Sequence, residues 1–314
     1  MFIRIISILI FCISLMQLSV YAQSTSGEGY VSAAGAKIYY KTIGSGNPII
    51  VLHGGPGMDH RYLFSTMEPL TKKHRVIFYD QRGLGKSSTS HIDSSHINIA
   101  TLVKDLEALR KGLGYKKITL LAHSYAGFIA MHYAISYPEH VSALILMNSM
   151  PATSSGLKDT ANEFLARTKP VSKQLESIQK SQEFADGEVE VIEDFYRTIF
   201  RTHMFKKSDA DKLHLRSDSS SAAINSLKIR DILFNEIASK PFDLTNSLQK
   251  SHVPTLVIHG DHDIVPESAA EEIANAIPNS EFVVLENCGH FSCLEKSKEF
   301  FYIVERFLSE QHQN

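Results

Sequence analysis

Ser124 lies in the stretch Ala122-His123-Ser124-Tyr125-Ala126-Gly127, between the apolar run Ile118 to Ala122 and a helix-forming run from Ala126 to Ser136. A serine held on a sharp strand-to-helix turn has its hydroxyl exposed, and the crowded backbone around it demands small residues two before and two after. Glycine usually fills both places; here alanine, the next smallest side chain, does. A serine hydroxyl becomes a nucleophile only beside a base, and the base needs a third group to orient it. His290, in Asn287-Cys288-Gly289-His290-Phe291, follows the apolar run Glu281 to Leu285 and is the candidate base. The candidate carboxylate comes from His259-Gly260-Asp261-His262-Asp263-Ile264-Val265-Pro266. Asp263, midway between Gly260 and Pro266, is favoured over Asp261, which lies closer to the strand.

Acyl transfer also needs two donors aimed at the oxyanion. The Gly-rich turn His53-Gly54-Gly55-Pro56-Gly57 follows the apolar run Ile49 to Leu52 and leaves backbone N–H groups unobstructed. The amides of Gly55 and Tyr125 are therefore the expected oxyanion hole. Two other stretches invite different chemistry. The histidines and aspartates between residues 259 and 263 could suggest a metal, but successive side chains on an extended strand end diverge. The tail of Asp80-Gln81-Arg82-Gly83-Leu84-Gly85-Lys86-Ser87 resembles a phosphate-binding loop, yet Asp80 occupies the place of its first glycine. Neither a metal nor a cofactor is expected, and Asp80 and Arg82 are assigned to holding loops together.

These residues need a scaffold. A hairpin is predicted from Gly29 to Ser32 and Lys37 to Thr42, and strands from Ile49 to Leu52 and Arg75 to Tyr79, each to be followed by a helix. Helical spacing runs from Ile97 to Leu113, followed by strands Ile118 to Ala122 and Val141 to Met147 around the helix that starts at Ala126. Alternating strands and helices predict an α/β fold with a mostly parallel sheet covered on both faces. From 151 to 250 the rhythm gives way to charged helical stretches, Ser172 to Glu183, Glu188 to Phe205 and Ala222 to Ala238. This reads as a helical cap inserted in a core formed by residues 23–150 and 251–314. The rhythm resumes with Thr255 to His259, Glu267 to Ala276, Glu281 to Leu285 and a last helix from Glu295 to Leu308.

Residues 1–22 stand apart: Arg4 precedes an apolar stretch from Ile5 to Leu18, and compact residues lead to Ala22. The pattern is that of a secretory signal, so the mature protein is expected to be exported without stable membrane association. Cys288 and Cys293 are expected as free, buried thiols. Across all 314 residues the net charge is −2 with both signs interspersed, which excludes the attraction that nucleic-acid binding needs. The expected partner is a small molecule or short peptide.

Taken together, the order Ser124, Asp263, His290 and the elbow sequence resemble the α/β-hydrolase superfamily over nearly all the mature chain except the cap. The HGGPG segment at His53 and the DQRG segment at Asp80 are similar to the proline iminopeptidase branch, which removes N-terminal residues from short peptides. That resemblance implies an acidic capture of the substrate's ammonium group, for which the cap offers Glu188, Glu190 and Glu193. Two features depart from the branch: Ala122 and Ala126 flank the nucleophile, and Ile264 stands where some members carry a second acid. A carboxylesterase or lactonase acting on uncharged acyl substrates is the alternative.

Overall fold

Short β-branched and aromatic runs separated by helices build a parallel sheet, because a strand-helix-strand crossover returns the chain in the same direction. A computed structural model describes residues 26–311 and has such a sheet. Strands β1 (Gly27–Ala33) and β2 (Ala36–Ile43) form the antiparallel hairpin. They are followed by β3 (Pro48–Leu52), β4 (Arg75–Tyr79), the two-residue β5 (Ser88–Thr89), β6 (Ile118–His123), β7 (Val141–Met147), β8 (Thr255–Gly260) and β9 (Ser280–Leu285). The spatial order is β1-β2-β4-β3-β6-β7-β8-β9, with β5 paired to β2. Every pairing from β4 to β9 is parallel.

Residue alternation sorts the strand side chains to two faces. Ile50, Leu52, Leu120, Ala122, Leu144 and Leu146 pack with helices α2 (Ile99–Gly112) and α3 (Tyr125–Ser136). Their neighbours Ile49, Val51, Leu121, Ile145 and Met147 pack on the opposite face with the C-terminal helix. The carboxyl ends of β3, β6, β7, β8 and β9 consequently open onto one rim of the sheet. Ligands in open α/β sheets bind at that rim.

Three expectations about helices are corrected. After β3 comes only the four-residue α1 (Arg61–Phe64) and a 3-10 turn at Glu68–Lys72, while the helix expected after β4 is α2. The Gly- and Pro-rich segment after β3 favours turns over helix. Between β7 and β8 the helices are α4 (Ser154–Thr168), α5 (Ser172–Gln179), α6 (Gln182–Ala185), α7 (Val189–Arg201), α8 (Ser220–Ser239) and α9 (Thr245–Leu248). The stretch read as one helix from Ser172 is broken because the Ser181 hydroxyl accepts from the Phe184 amide and caps a new start. α4, with Thr153 as its cap, had no counterpart in the sequence reading. After α10 (Glu267–Ala276), the last helix is also split, into α11 (Ser292–Glu295) and α12 (Ser297–Gln311).

The helices between β7 and β8 have no core of their own. Ile229, Leu233 and Ile237 of α8 join the cluster on one sheet face, and Ile192, Phe195 and Tyr196 of α7 join the other. The signal-like residues 1–22 lie outside the described residues. Among the described residues no helix is long and apolar enough to cross a membrane.

Candidate active site

β6 ends at His123 and α3 begins at Tyr125, so the whole reversal of direction falls on Ser124, whose φ of 57° and ψ of −126° are rare for a residue with a side chain. Such a conformation costs about 1–3 kcal/mol and persists because its surroundings enforce it. The Ser124 amide donates to Met147 O at 3.0 Å, and Met150 N donates back to Ser124 O at 3.0 Å. Ala122 and Ala126 are fully buried. The tightest steric demand falls one residue beyond the expected pair: a Cβ on Gly127 would lie 2.0 Å from Ser149 Oγ.

The three residues expected to act together do meet. Ser124 Oγ and His290 Nε2 are 2.7 Å apart, and His290 Nδ1 and Asp263 Oδ1 are 2.6 Å apart. Asp263 Oδ1 also accepts from Val265 N at 3.1 Å, while Oδ2 accepts from Asn148 Nδ2 at 2.8 Å. Burial alone would raise the Asp263 carboxyl. The imidazoles of His290 and His259 and the Asn148 amide outweigh it and hold the group well below the usual carboxylate range. An anionic Asp263 keeps the proton of His290 on Nδ1, leaving Nε2 free to accept from serine.

Asp261 points elsewhere. Its carboxylate accepts from the amides of Asn287 and Cys288 at 2.9 and 3.0 Å and meets His262 Nδ1 at 2.7 Å. It therefore splints the loop that carries His290. Asn148 was not singled out from the sequence: besides Asp263 it donates to Gly289 O at 3.0 Å, and its Oδ1 accepts from Ser292 N at 3.2 Å. The available signal was its place directly after β7, the position that Ser124 holds after β6. Arg167 of α4, also missed, donates to the carbonyls of His262 and Asp263 and clamps the acid loop from outside.

Gly54 and Gly55 follow β3 beside the elbow. A Cβ on Gly54 would lie 2.4 Å from His123 O and 2.8 Å from Ser124 Cβ, so only glycine lets the two loops touch. Neither the Gly55 nor the Tyr125 amide has an acceptor among the described residues. Tyr125 N also stands at the start of α3, whose dipole favours negative charge there. The DQRG segment supports this loop directly: Gln81 N donates to His53 Nε2 at 3.0 Å and Gln81 Nε2 donates to His53 O at 2.6 Å. Asp80 accepts from the His60 and Lys86 amides, and Arg82 forks onto Asp105 at 2.6 and 2.8 Å.

The cap glutamates are not brought to this site. Glu188 is exposed, Glu190 pairs with Arg216, and Glu193 pairs with Arg197 at 2.5 Å. α7 turns its apolar residues Ile192, Phe195 and Tyr196 inward, which leaves these acids on its outer side. What the cap does bring is His203, just past α7, whose carbonyl accepts from His290 N at 2.9 Å. The His203 ring stands 5.8 Å from that of His290 and packs against Phe164 and Phe200. Both its ring nitrogens are buried without a partner, and burial pushes its pKa well below the ordinary value. Cys288 and Cys293 are free and buried, their thiols pushed up to about 12 by burial, hence protonated.

Residues 47–297 match the family model described as alpha/beta hydrolase fold. The chain is similar to the proline iminopeptidase of Saccharolobus solfataricus, 30% identical over 298 residues that cover 90% of this chain and 92% of that protein. It is 29% identical to the proline iminopeptidase of Thermoplasma volcanium, over 90% of this chain and 96% of the other. Among solved structures, proline iminopeptidase from Mycobacterium smegmatis superposes with a TM-score of 0.67 at 21% identity, covering 91% of this chain and 98% of that one.

Proposed function

The chain belongs to the α/β-hydrolase fold family and is a hydrolase, and from that premise we propose that it removes N-terminal residues from short peptides by way of an acyl-enzyme on Ser124. The observation that carries the chemistry is the unbroken line from Ser124 Oγ through His290 to Asp263. Neutral His290 takes the serine proton as Oγ attacks the carbonyl carbon, and Asp263 stabilises the imidazolium that forms. The amides of Gly55 and Tyr125 receive the oxyanion. Collapse of the tetrahedral adduct expels the amine, which takes its proton from His290. Water, deprotonated by the same imidazole, then releases the acid.

The peptide reading is supported by the two relatives and by the paired HGGPG and DQRG segments. A second reading, esterase or lactonase, is favoured by Ile264 after the acid and by the pairing of Glu190 and Glu193 with arginines. Hydrolysis of prolyl and alanyl naphthylamides against short-chain acyl esters, with Ser124→Ala alongside, separates the two. Amide cleavage that depends on Ser124 supports the peptidase; ester cleavage alone replaces it with the second reading. We also propose export, on the Arg4 and Ile5-to-Leu18 pattern. A mature N-terminus at Gln23 is its expected signature.

A further inference from the structure

Two buried polar side chains beside the site have no part in the mechanism so far: Tyr62 of α1 and His123 at the end of β6. Both are sealed, at 3% and 1% exposure. They form a chain. Gly54 N lies 2.6 Å from Tyr62 Oη, Tyr62 Oη lies 2.7 Å from His123 Nδ1, and His123 Nε2 lies 2.8 Å from His290 O. Phe291 closes over it, with ring centroids 5.0 Å from His123 and 6.1 Å from Tyr62.

The proton positions in this chain follow from its ends. The His290 carbonyl can only accept, so His123 carries its proton on Nε2. Burial, helped by the neighbouring His290 ring, pushes the His123 pKa down to about 3, so the ring is neutral and Nδ1 is bare. A bare Nδ1 must accept, so the Tyr62 hydroxyl donates to it. The remaining Tyr62 lone pairs accept from Gly54 N–H, which can only donate. No other arrangement satisfies all four groups.

We propose that Tyr62 and His123 are positioning residues that tie the oxyanion loop to the base loop through this one-way hydrogen-bond chain. The proposal rests on the reading of Ser124 as nucleophile. Its physical content is geometric. Gly54 N–H fixes the peptide plane before Gly54, at a place so close to His123 O and Ser124 Cβ that a Cβ on Gly54 would collide with both. The next amide, that of Gly55, is then aimed. At the other end the same chain holds the backbone of His290, whose ring must reach Ser124. A donor is worth most when it already points where charge will develop, so a loosened chain weakens the transition state more than the bound substrate.

The test is the rate at which an alkyl fluorophosphonate modifies Ser124, since the reaction needs no knowledge of the natural substrate. Serine oxygen attacks phosphorus, fluoride leaves, His290 takes the proton, and the phosphoryl oxygen uses the oxyanion donors. Tyr62→Phe keeps the ring and removes only the hydroxyl. Its second-order rate constant is expected to fall about 10- to 100-fold, below the ~10²–10³ of losing a donor outright, with full labelling reached in the end. His123→Leu is expected to fall similarly. The double variant should be no slower than the slower single, because members of one unit are not additive. Tyr62→Phe reacting at the wild-type rate, whatever its melting temperature, would overturn the proposal, as would losses that multiply in the double variant. Mass spectrometry locates the adduct. No adduct on Ser124 in the wild-type protein would instead overturn the nucleophile assignment, and the relay with it.

Discussion

The loops at the strand ends and the helices inserted between β7 and β8 treat polar side chains in opposite ways. In the loops they are buried and bonded to one another across long sequence separations: Asn148 joins the Asp263 and His290 loops, and Gln81 holds His53. In the inserted segment most charges stay exposed in ion pairs, such as Glu176 with Lys180, Glu190 with Arg216 and Arg201 with Asp211. A buried network has one low-energy arrangement because every unsatisfied member is costly, whereas exposed pairs are weak and tolerate rearrangement. Reaction geometry therefore belongs in the first region. The second contributes shape and a few inward side chains, of which His203 and Arg167 touch the machinery.

The largest expected effect tests whether the loops hold the chemistry at all. Ser124→Ala should lower turnover by ~10⁵-fold or more while the protein melts no lower than the wild type, as kinetics and calorimetry would establish together. Residual activity near the wild-type level would break the comparison at its root. Within the loops, Asp263→Asn should cost ~10⁴-fold in kcat, by releasing His290 into the wrong tautomer. Asp261→Asn, which keeps one acceptor oxygen and loses the other of the two that receive the Asn287 and Cys288 amides, should stay within about tenfold, a 1.4 kcal/mol equivalent. Equal losses at the two aspartates, measured on one substrate, would reverse the assignment of the acid.

Acid stability carries the comparison further. An unfolded imidazole takes up its proton near pH 6.5, but burial holds His53, His123 and His203 neutral to lower pH, His123 to about 3. Between those limits the unfolded chain binds more protons than the folded one, so folding stability rises with pH and falls on acidification. The depressed carboxyl of Asp263 acts in the same direction: its contribution is complete above the ordinary aspartate range and is lost as pH falls further. His123, neutral down to about 3, contributes roughly 1 kcal/mol per pH unit in that window. Denaturation of His203→Phe at a series of pH values just below about 6.5 should show a shallower dependence of stability on pH than the wild type. An unchanged slope would mean that His203 is protonated in the folded protein. The smallest effect belongs to the outer face of the cap: Glu190→Gln with Glu193→Gln should change kcat/KM less than about twofold for amine-bearing substrates. A tenfold loss would make these acids an ammonium site and the cap part of the machinery.

Much of this was legible in the sequence. Alternation and apolar runs located every strand except the two-residue β5 to within one or two residues, since burial on both sheet faces leaves a local signature. Gly-rich turns and the serine elbow are local as well, so Ser124 and the HGGPG loop stood out, while His290 emerged from its order after Ser124 and Asp263. The boundaries of cap helices did not, because capping by Ser181 or Thr153 competes with periodicity on nearly equal terms.

The sequence by itself therefore determined the fold class, through the alternation of strands and helices along the chain, and marked Ser124, the HGGPG loop and, by their order after Ser124, Asp263 and His290 as candidates. Tertiary structure alone decided the rest. That Asp261 binds the loop beyond β9, that Asn148 bridges two loops, and that Tyr62 meets His123 all depend on distances between segments 26 to 141 residues apart. The outward turn of Glu190 and Glu193 depends on which face of α7 the sheet buries. Such distances are set by strand register and by the direction each side chain leaves its backbone, and both exist only once the sheet has formed.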